Sequence, residues 1–178
     1  KVIVIACNTA SSVATTQVLE KFALPIFEVI TPAVTEALQA STNLNFGIIG
    51  TRATISSGIY EKKILENQPA ARIHSVACPL LVPLVEEGWL KKRETAMIVK
   101  KYLQPLKTRQ IDTLILGCTH YPLLKNVIQT KIGKRVELID SSICISEGIK
   151  HFLDNNRDIE RQLGQNGNMS LYVSDVTD

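Results

Sequence analysis

Residues 112–122 read DTLILGCTHYP. The run Leu114–Ile115–Leu116 is short, wholly apolar and closed by Gly117, the pattern of a buried strand rather than of a helix. It then breaks into Cys118, Thr119 and His120. The start of the chain does the same: KVIVIACNTASS (1–12) runs apolar to Ala6 and breaks into Cys7, Asn8 and Thr9. Setting Cys118 on Cys7, an offset of 118 − 7 = 111, also brings PIFEVI (25–30) to within about one residue of VELIDS (136–141). The unit strand, cysteine, two polar residues, helix, strand therefore occurs twice, as in an internal duplication.

Outward from these two stretches, apolar runs at 2–6, 26–30, 46–50, 73–77, 113–116 and 136–139 are rich in Val and Ile and bounded by Gly, Pro or polar residues. Each reads as a buried strand. Helical patterns lie between them. Ala10, Val13, Ala14, Val18 and Phe22 share one helical face, and Thr31 before Pro32 reads as an N-cap followed by proline at the first helical position. This alternation implies an α/β fold with mainly parallel sheets, and the repeat implies two pseudo-symmetric domains with a site at their interface. The second domain is expected over 31–140, and the first over 1–30 together with a returning segment, 141–178. The second unit is preceded by its own strands, NFGIIGT (45–51) and RIHSVAC (72–78), the first by only six residues, so the first domain is expected to lack its N-terminal part. The polar stretch 154–168 ahead of LYV (171–173) reads as a linker to a last edge strand.

At 178 residues and 45% hydrophobic, the chain can bury a substantial core. No apolar stretch reaches the ~18 residues of a membrane span, and no basic segment followed by an apolar leader is present. The 20 basic and 17 acidic residues are interspersed and aromatics are only 5%, which argues against a base-stacking nucleic-acid platform. Four cysteines (Cys7, Cys78, Cys118, Cys144) without a secretion signal read as reduced thiols in a cytoplasmic setting. There is neither a CxxC pair nor a helically spaced His pair, and Cys118 with His120 would lack two ligands in the local sequence, so no metal site is expected. Cys78 and Cys144 lack the polar pair at a strand end and read as packing residues. His74, in a strand, and His151, in an amphipathic helix, read as structural, and Glu86 and Glu87 before Gly88 read on their own as a solvated helix end.

Cys7 and Cys118 both stand just past the C-terminal end of a strand, where open α/β sheets bind ligands. A helix N-terminus there supplies free N–H groups and partial positive charge, favouring a thiolate and a carboxylate ligand. Two thiols facing one another suit a reaction that takes a proton from one face of a carbon and returns one to the other, with one thiolate and one thiol at the start of each turnover. No lysine recommends a Schiff base, so the carbanion would have no electron sink, and positioning and donors aimed at the substrate carboxylate would have to lower the barrier. The alternative for each cysteine is a small buried core residue beside polar helix caps.

The segments ACNTAS (6–11), PAVTEA (32–37), IGT (49–51), ACPLLVPLVEEG (77–88) and GCTHYPLL (117–124) together resemble the glutamate racemases, cofactor-independent members of the aspartate/glutamate racemase superfamily. The resemblance covers essentially the whole chain, and Thr-His-Tyr-Pro after Cys118 is closer to the glutamate enzymes than to aspartate racemases. It implies an isomerase interconverting L- and D-glutamate without a cofactor, Cys7 acting on D-glutamate and Cys118 on L-glutamate. It further implies that Asn8, Thr9 and Thr119 bind the amino-acid head, that Thr51 adds a substrate contact, that His120 assists the Cys118 thiol, and that Glu86 is the acidic residue of the same half. Members of the family begin with an Asp-Ser-Gly segment that supplies an acidic partner for the first cysteine; this sequence has none, so the chain alone is expected not to turn over at a useful rate. The implied partner is glutamate, with neither nucleic acid nor membrane and with a homodimer left open. The implied role is supply of D-glutamate for peptidoglycan in a bacterial cytoplasm. Another amino-acid or dicarboxylate racemase of the superfamily, or a non-catalytic fragment, are the alternatives.

Overall fold

Among the described residues the apolar runs become six strands, and every strand pairing is parallel. A computed structural model describes residues 1–164 and 167–173. The elements run β1 (Ile3–Ile5), α1 (Asn8–Lys21), β2 (Ile26–Glu28), α2 (Ile30–Ala40), β3 (Asn45–Gly50), α3 (Arg52–Ser56), α4 (Ile59–Asn67), β4 (Arg72–Ala77) and α5 (Leu81–Glu86). They continue with α6 (Arg93–Thr108), β5 (Thr113–Gly117), a 3₁₀ turn at Tyr121–Leu124, α7 (Lys125–Ile132), β6 (Glu137–Asp140), α8 (Ser141–Asn155) and α9 (Arg157–Gln162). The α/β class with parallel sheets is as the sequence implied. β1 and β2 form a two-stranded sheet, and the other four strands form a second sheet in the order β4-β3-β5-β6.

Parallel strands need helical crossovers, which cover both faces of a sheet and let its strands be apolar throughout. β3 and β5 are buried at every residue. Their side chains alternate between two cores. Ile49, Leu114 and Leu116 pack with Leu103 and Leu106 of α6 and Ile128 of α7. On the other face Phe46, Ile48 and Ile115 pack with Val34 of α2, Ile64 of α4 and Ile145 of α8. α8 also reaches the small sheet, where Phe152 meets Phe27 of β2 edge-to-face with ring centroids 5.0 Å apart.

Three local expectations are corrected. α1 forms, but the apolar face expected of it is not buried: Val13 is 61% and Phe22 49% exposed, and the helix buries Asn8 and Ser11 instead. Its interior contacts are made by its polar first turn, where α3 and the strand ends meet it. The cap of α2 is not Thr31. The Glu28 carboxylate accepts from the backbone N–H of Ile30 (2.6 Å) and Thr31 (2.9 Å), so the helix begins one residue before Thr31; a carboxylate meets both the orphan donors and the partial positive charge of the terminus. Finally, Leu171–Val173 forms no strand, and its three side chains are exposed.

At the N-terminal edge of the large sheet Asp112 holds the α2–β3 turn. Its carboxylate accepts from the N–H of Thr42 (2.7 Å) and Asn43 (2.8 Å) and from the hydroxyls of Ser41 and Thr42. The turn includes Leu44 at φ 56, a left-handed conformation that costs a non-glycine residue on the order of 1 kcal/mol, and the clasp offsets that cost. Burial pushes the Asp112 carboxyl up, but the hydrogen bonds from Asn43, Thr42, Ser41 and Thr113 outweigh it and leave its pKa lowered. A carboxylate whose folded pKa is depressed contributes stability above its unfolded pKa of about 3.9, and that stability is lost as pH falls through the lower folded value. Asp112→Ala should therefore destabilise the protein by about 1–2 kcal/mol at neutral pH. In urea melts the gap between the two proteins should narrow only below about pH 4; a gap that persists at low pH would mean that the charge is not what holds the turn.

Candidate active site

The site follows from where the parallel strands stop. In the order β4-β3-β5-β6 the chain leaves β3 to one side for β4 and returns on the other for β5, so a crevice opens between the C-terminal ends of β3 and β5. Gly50 and Gly117 stand opposite one another at those ends. A Cβ on Gly117 would lie 2.8 Å from the Ile49 carbonyl oxygen, so only glycine lets β5 run this close to β3 before Cys118.

Cys118 is 6% exposed. Its Sγ lies 3.8 Å from His120 Nδ1, and His120 Nε2 lies 3.3 Å from Glu86 Oε1 at the end of α5. Glu86 thus stands behind the imidazole, whose Nδ1 edge faces the sulfur. Thr119 Oγ1 lies 3.5 Å from the same Nδ1. Burial pushes the Cys118 thiol up and prevails; backbone N–H groups of His120 and Tyr121 pull the other way, and the charges of Cys7 and Glu86 add to the rise. Cys118 thus rests as a thiol whose thiolate would find two N–H donors already in place. Those donors come from the 3₁₀ turn, so the α-helix N-terminus expected directly after Cys118 is displaced to Lys125. Behind it, the Tyr121 hydroxyl donates to the Cys78 carbonyl (2.9 Å), and burial, with the charge of Cys118, holds the Cys78 thiol up at about 12.

Cys7 is exposed at the N-cap of α1, and its carbonyl accepts from the Ser11 N–H (2.8 Å). Thr9 follows on the first turn of α1. Its hydroxyl lies 2.8 Å from that of Thr51 and 3.2 Å from that of Thr54, and the latter two are 3.0 Å apart. This triangle of hydroxyls joins α1 to α3. Asn8 is separate from it. It is 1% exposed, its Oδ1 accepting from the Tyr60 hydroxyl (2.6 Å) and its Nδ2 donating to Ser141 Oγ (3.2 Å), so its side chain faces inward rather than into the crevice.

The structure therefore gathers Cys118, Thr119, His120 and Glu86 on one side and Thr9 and Thr51 on another, with Cys7 near enough for its charge to bear on Cys118. Thr54, Tyr60 and Ser141 are additions. Thr54 carried a signal, since its N–H donates to Thr51 Oγ1 (3.2 Å), the side-chain cap of α3. Tyr60 and Ser141 carried none in their local sequence. Among the described residues no three or more His, Cys, Asp and Glu side chains are grouped to hold a metal ion, and no helix is long and apolar enough to cross a membrane.

Comparison with known proteins places this geometry in context. A family model described as Asp/Glu/Hydantoin racemase matches residues 1–145. The chain is 43% identical over 173 residues to a glutamate racemase of Aquifex aeolicus, covering 97% of this chain and 63% of that protein. Among solved structures it is similar to a glutamate racemase isoform of Bacillus anthracis, with TM-score 0.84 and 36% identity over 88% of this chain and 59% of that one. It is also similar to the glutamate racemase of Francisella tularensis in complex with D-glutamate, with TM-score 0.81 and 37% identity over 88% of this chain and 58% of that one. The chain thus spans about three fifths of the length of these relatives.

The unequal burial of the thiols has a direct readout. With iodoacetamide at neutral pH, Cys7 should be alkylated at least about tenfold faster than Cys118, and Cys78 slowest, because reactivity follows exposure and thiolate fraction. Peptide mapping of the alkylated protein over time measures this, and equal rates at Cys7 and Cys118 would contradict the burial described.

Proposed function

Because the chain belongs to the Asp/Glu/hydantoin racemase family, we propose that it carries the two acid/base residues of a cofactor-independent glutamate racemase. Cys7 takes or returns the α-proton on the D side and Cys118 on the L side. The observation that supports this best is the Cys118–His120–Glu86 chain, at 3.8 and 3.3 Å, with the exposed Cys7 near enough for its charge to bear on Cys118. His120 accepts the Cys118 proton through Nδ1 while Glu86 fixes the ring, and the N–H groups of His120 and Tyr121 meet the sulfur's negative charge. Thr9 and Thr51 on the other side, and Thr119 beside Cys118, offer hydroxyls to the amino-acid head, and the N–H groups of the first turn of α1, that of Asn8 among them, face its carboxylate.

With no electron sink on the α-carbon, catalysis rests on holding that carbon between two sulfurs and on neutralising charge at the carboxylate. The domains of this reading are 1–30 with 141–178, and 31–140. The activity is that of the protein at its natural full length, acting in the cytoplasm and supplying D-glutamate for peptidoglycan.

Exchange of the α-hydrogen of glutamate in deuterated water tests it. Cys7→Ser should slow exchange from D-glutamate by at least about a hundredfold and affect L-glutamate less, and Cys118→Ser should do the reverse. If both variants retain equal exchange from both enantiomers, the two-base assignment is wrong.

A further inference from the structure

A buried polar chain runs beneath the two thiols. Tyr60 of α4, 3% exposed, donates its hydroxyl to Asn8 Oδ1 at 2.6 Å; Asn8 Nδ2 donates to Ser141 Oγ at 3.2 Å; and the Ser141 hydroxyl donates to the Leu116 carbonyl at 3.4 Å. These residues belong to α4, α1, α8 and β5, so three helices and a central strand are tied at one point. Burial, reinforced by the charge of Glu28, raises the Tyr60 pKa far above its ordinary value, which keeps the hydroxyl a donor at every working pH.

The ends of the chain matter most. Asn8 is covalently joined to Cys7, and only Gly117 separates Leu116 from Cys118. Tyr60, Ser141 and Leu116 are all held on the large sheet: Tyr60 packs in one of its cores, and Ser141 directly follows β6, whose Asp140 pairs with Leu116 of β5. Both hydrogen bonds of Asn8 therefore tie two bodies together, the helix that follows Cys7 and the sheet that carries Cys118. Apolar packing at this point would hold the bodies together but resist sliding weakly. Hydrogen bonds have length and direction, and a buried amide using both its donor and its acceptor admits one arrangement.

We propose that Tyr60, Asn8 and Ser141 form a positioning latch that sets the separation and orientation of the Cys7 and Cys118 sulfurs; this rests on the two-cysteine reading above. A two-base reaction needs one carbon within reach of both sulfurs, and misplacement by ~1 Å costs on the order of a hundredfold in rate. The latch side chains make no contact with substrate; of these residues only the Asn8 backbone N–H faces it in the reading above. It acts through the residues next to the thiols, so its loss lowers turnover in both directions and leaves affinity nearly intact.

The test uses the protein at its natural full length. Racemisation kcat and KM are measured from both enantiomers for Tyr60→Phe, Ser141→Ala and Ser141→Thr, each normalised to the folded fraction given by circular dichroism at the assay temperature. Tyr60→Phe and Ser141→Ala should lose about ten- to a hundredfold in normalised kcat in both directions with KM within about twofold, while Ser141→Thr, which keeps the hydroxyl, retains at least about half. The double variant Tyr60→Phe/Asn8→Leu removes the orphaned amide along with the hydroxyl, so it should recover melting temperature without recovering kcat. Normalised kcat unchanged in Tyr60→Phe, a loss that only follows the folded fraction, or a loss confined to KM would overturn the latch. Cys7→Ser runs in parallel: if it is inactive while Tyr60→Phe is fully active, only the latch fails, whereas if it is active, the two-cysteine reading fails and the latch with it.

Discussion

The close parallel pairing of β3 with β5 is the constraint on which the rest depends. At its C-terminal end Gly50 faces Gly117, and a single added Cβ on Gly117 would strike the Ile49 carbonyl. Parallel pairing obliges each connection to cross back over the sheet, which supplies the helices that bury both faces. It also brings the C-terminal ends of β3, β4, β5 and β6 to one edge. Thr51, Cys78, Cys118 and Ser141 each stand directly after one of those ends. The opposite edge carries the Asp112 clasp and takes no part in the crevice. Stability and chemistry are thus drawn from different ends of the same strands.

At the crevice the two thiols occupy unlike environments. Cys118 is buried, its charge opposed by low polarity and by neighbouring negative groups and relieved by the backbone N–H groups of His120 and Tyr121, with the His120 ring 3.8 Å away. Cys7 is open to solvent at the head of α1. For a proposed reaction in which the thiols exchange roles, the hydrogen-bonding groups around Cys118 supply locally what solvent supplies to Cys7.

The helices that follow β2 and β6 are capped alike. β2 ends at Glu28 and β6 at Asp140, and each carboxylate turns back to accept from the first N–H groups of the helix that follows. The offset of 111 brings Glu28 to within one residue of Asp140. A strand that ends in an acid leading directly into a helix is a legible pattern, and at Glu28 it was obscured by the Thr-Pro pair, which resembles an N-cap in its own right. At α1 the apolar periodicity correctly marked a helix but not the burial of its face, because periodicity reports what a helix could bury and not what stands beside it.

Local sequence alone determined the strands, their approximate ends, the helices between them and the placement of Cys7, Cys118, Thr119 and His120 just past strand ends, because side-chain periodicity and chain-breaking residues act over a few neighbours. Tertiary structure decided which of these groups meet. Thr9 reaches Thr51 across 42 residues, Tyr60 reaches Asn8 across 52, and Asn8 reaches Ser141 across 133. Tertiary structure also turned the Asn8 amide inward and brought Glu86 behind His120. Hydrogen bonds of such sequence separation leave no local periodicity, and an asparagine after a strand reads the same whether its amide faces a ligand or the core; only the partners that folding brings to it settle the direction.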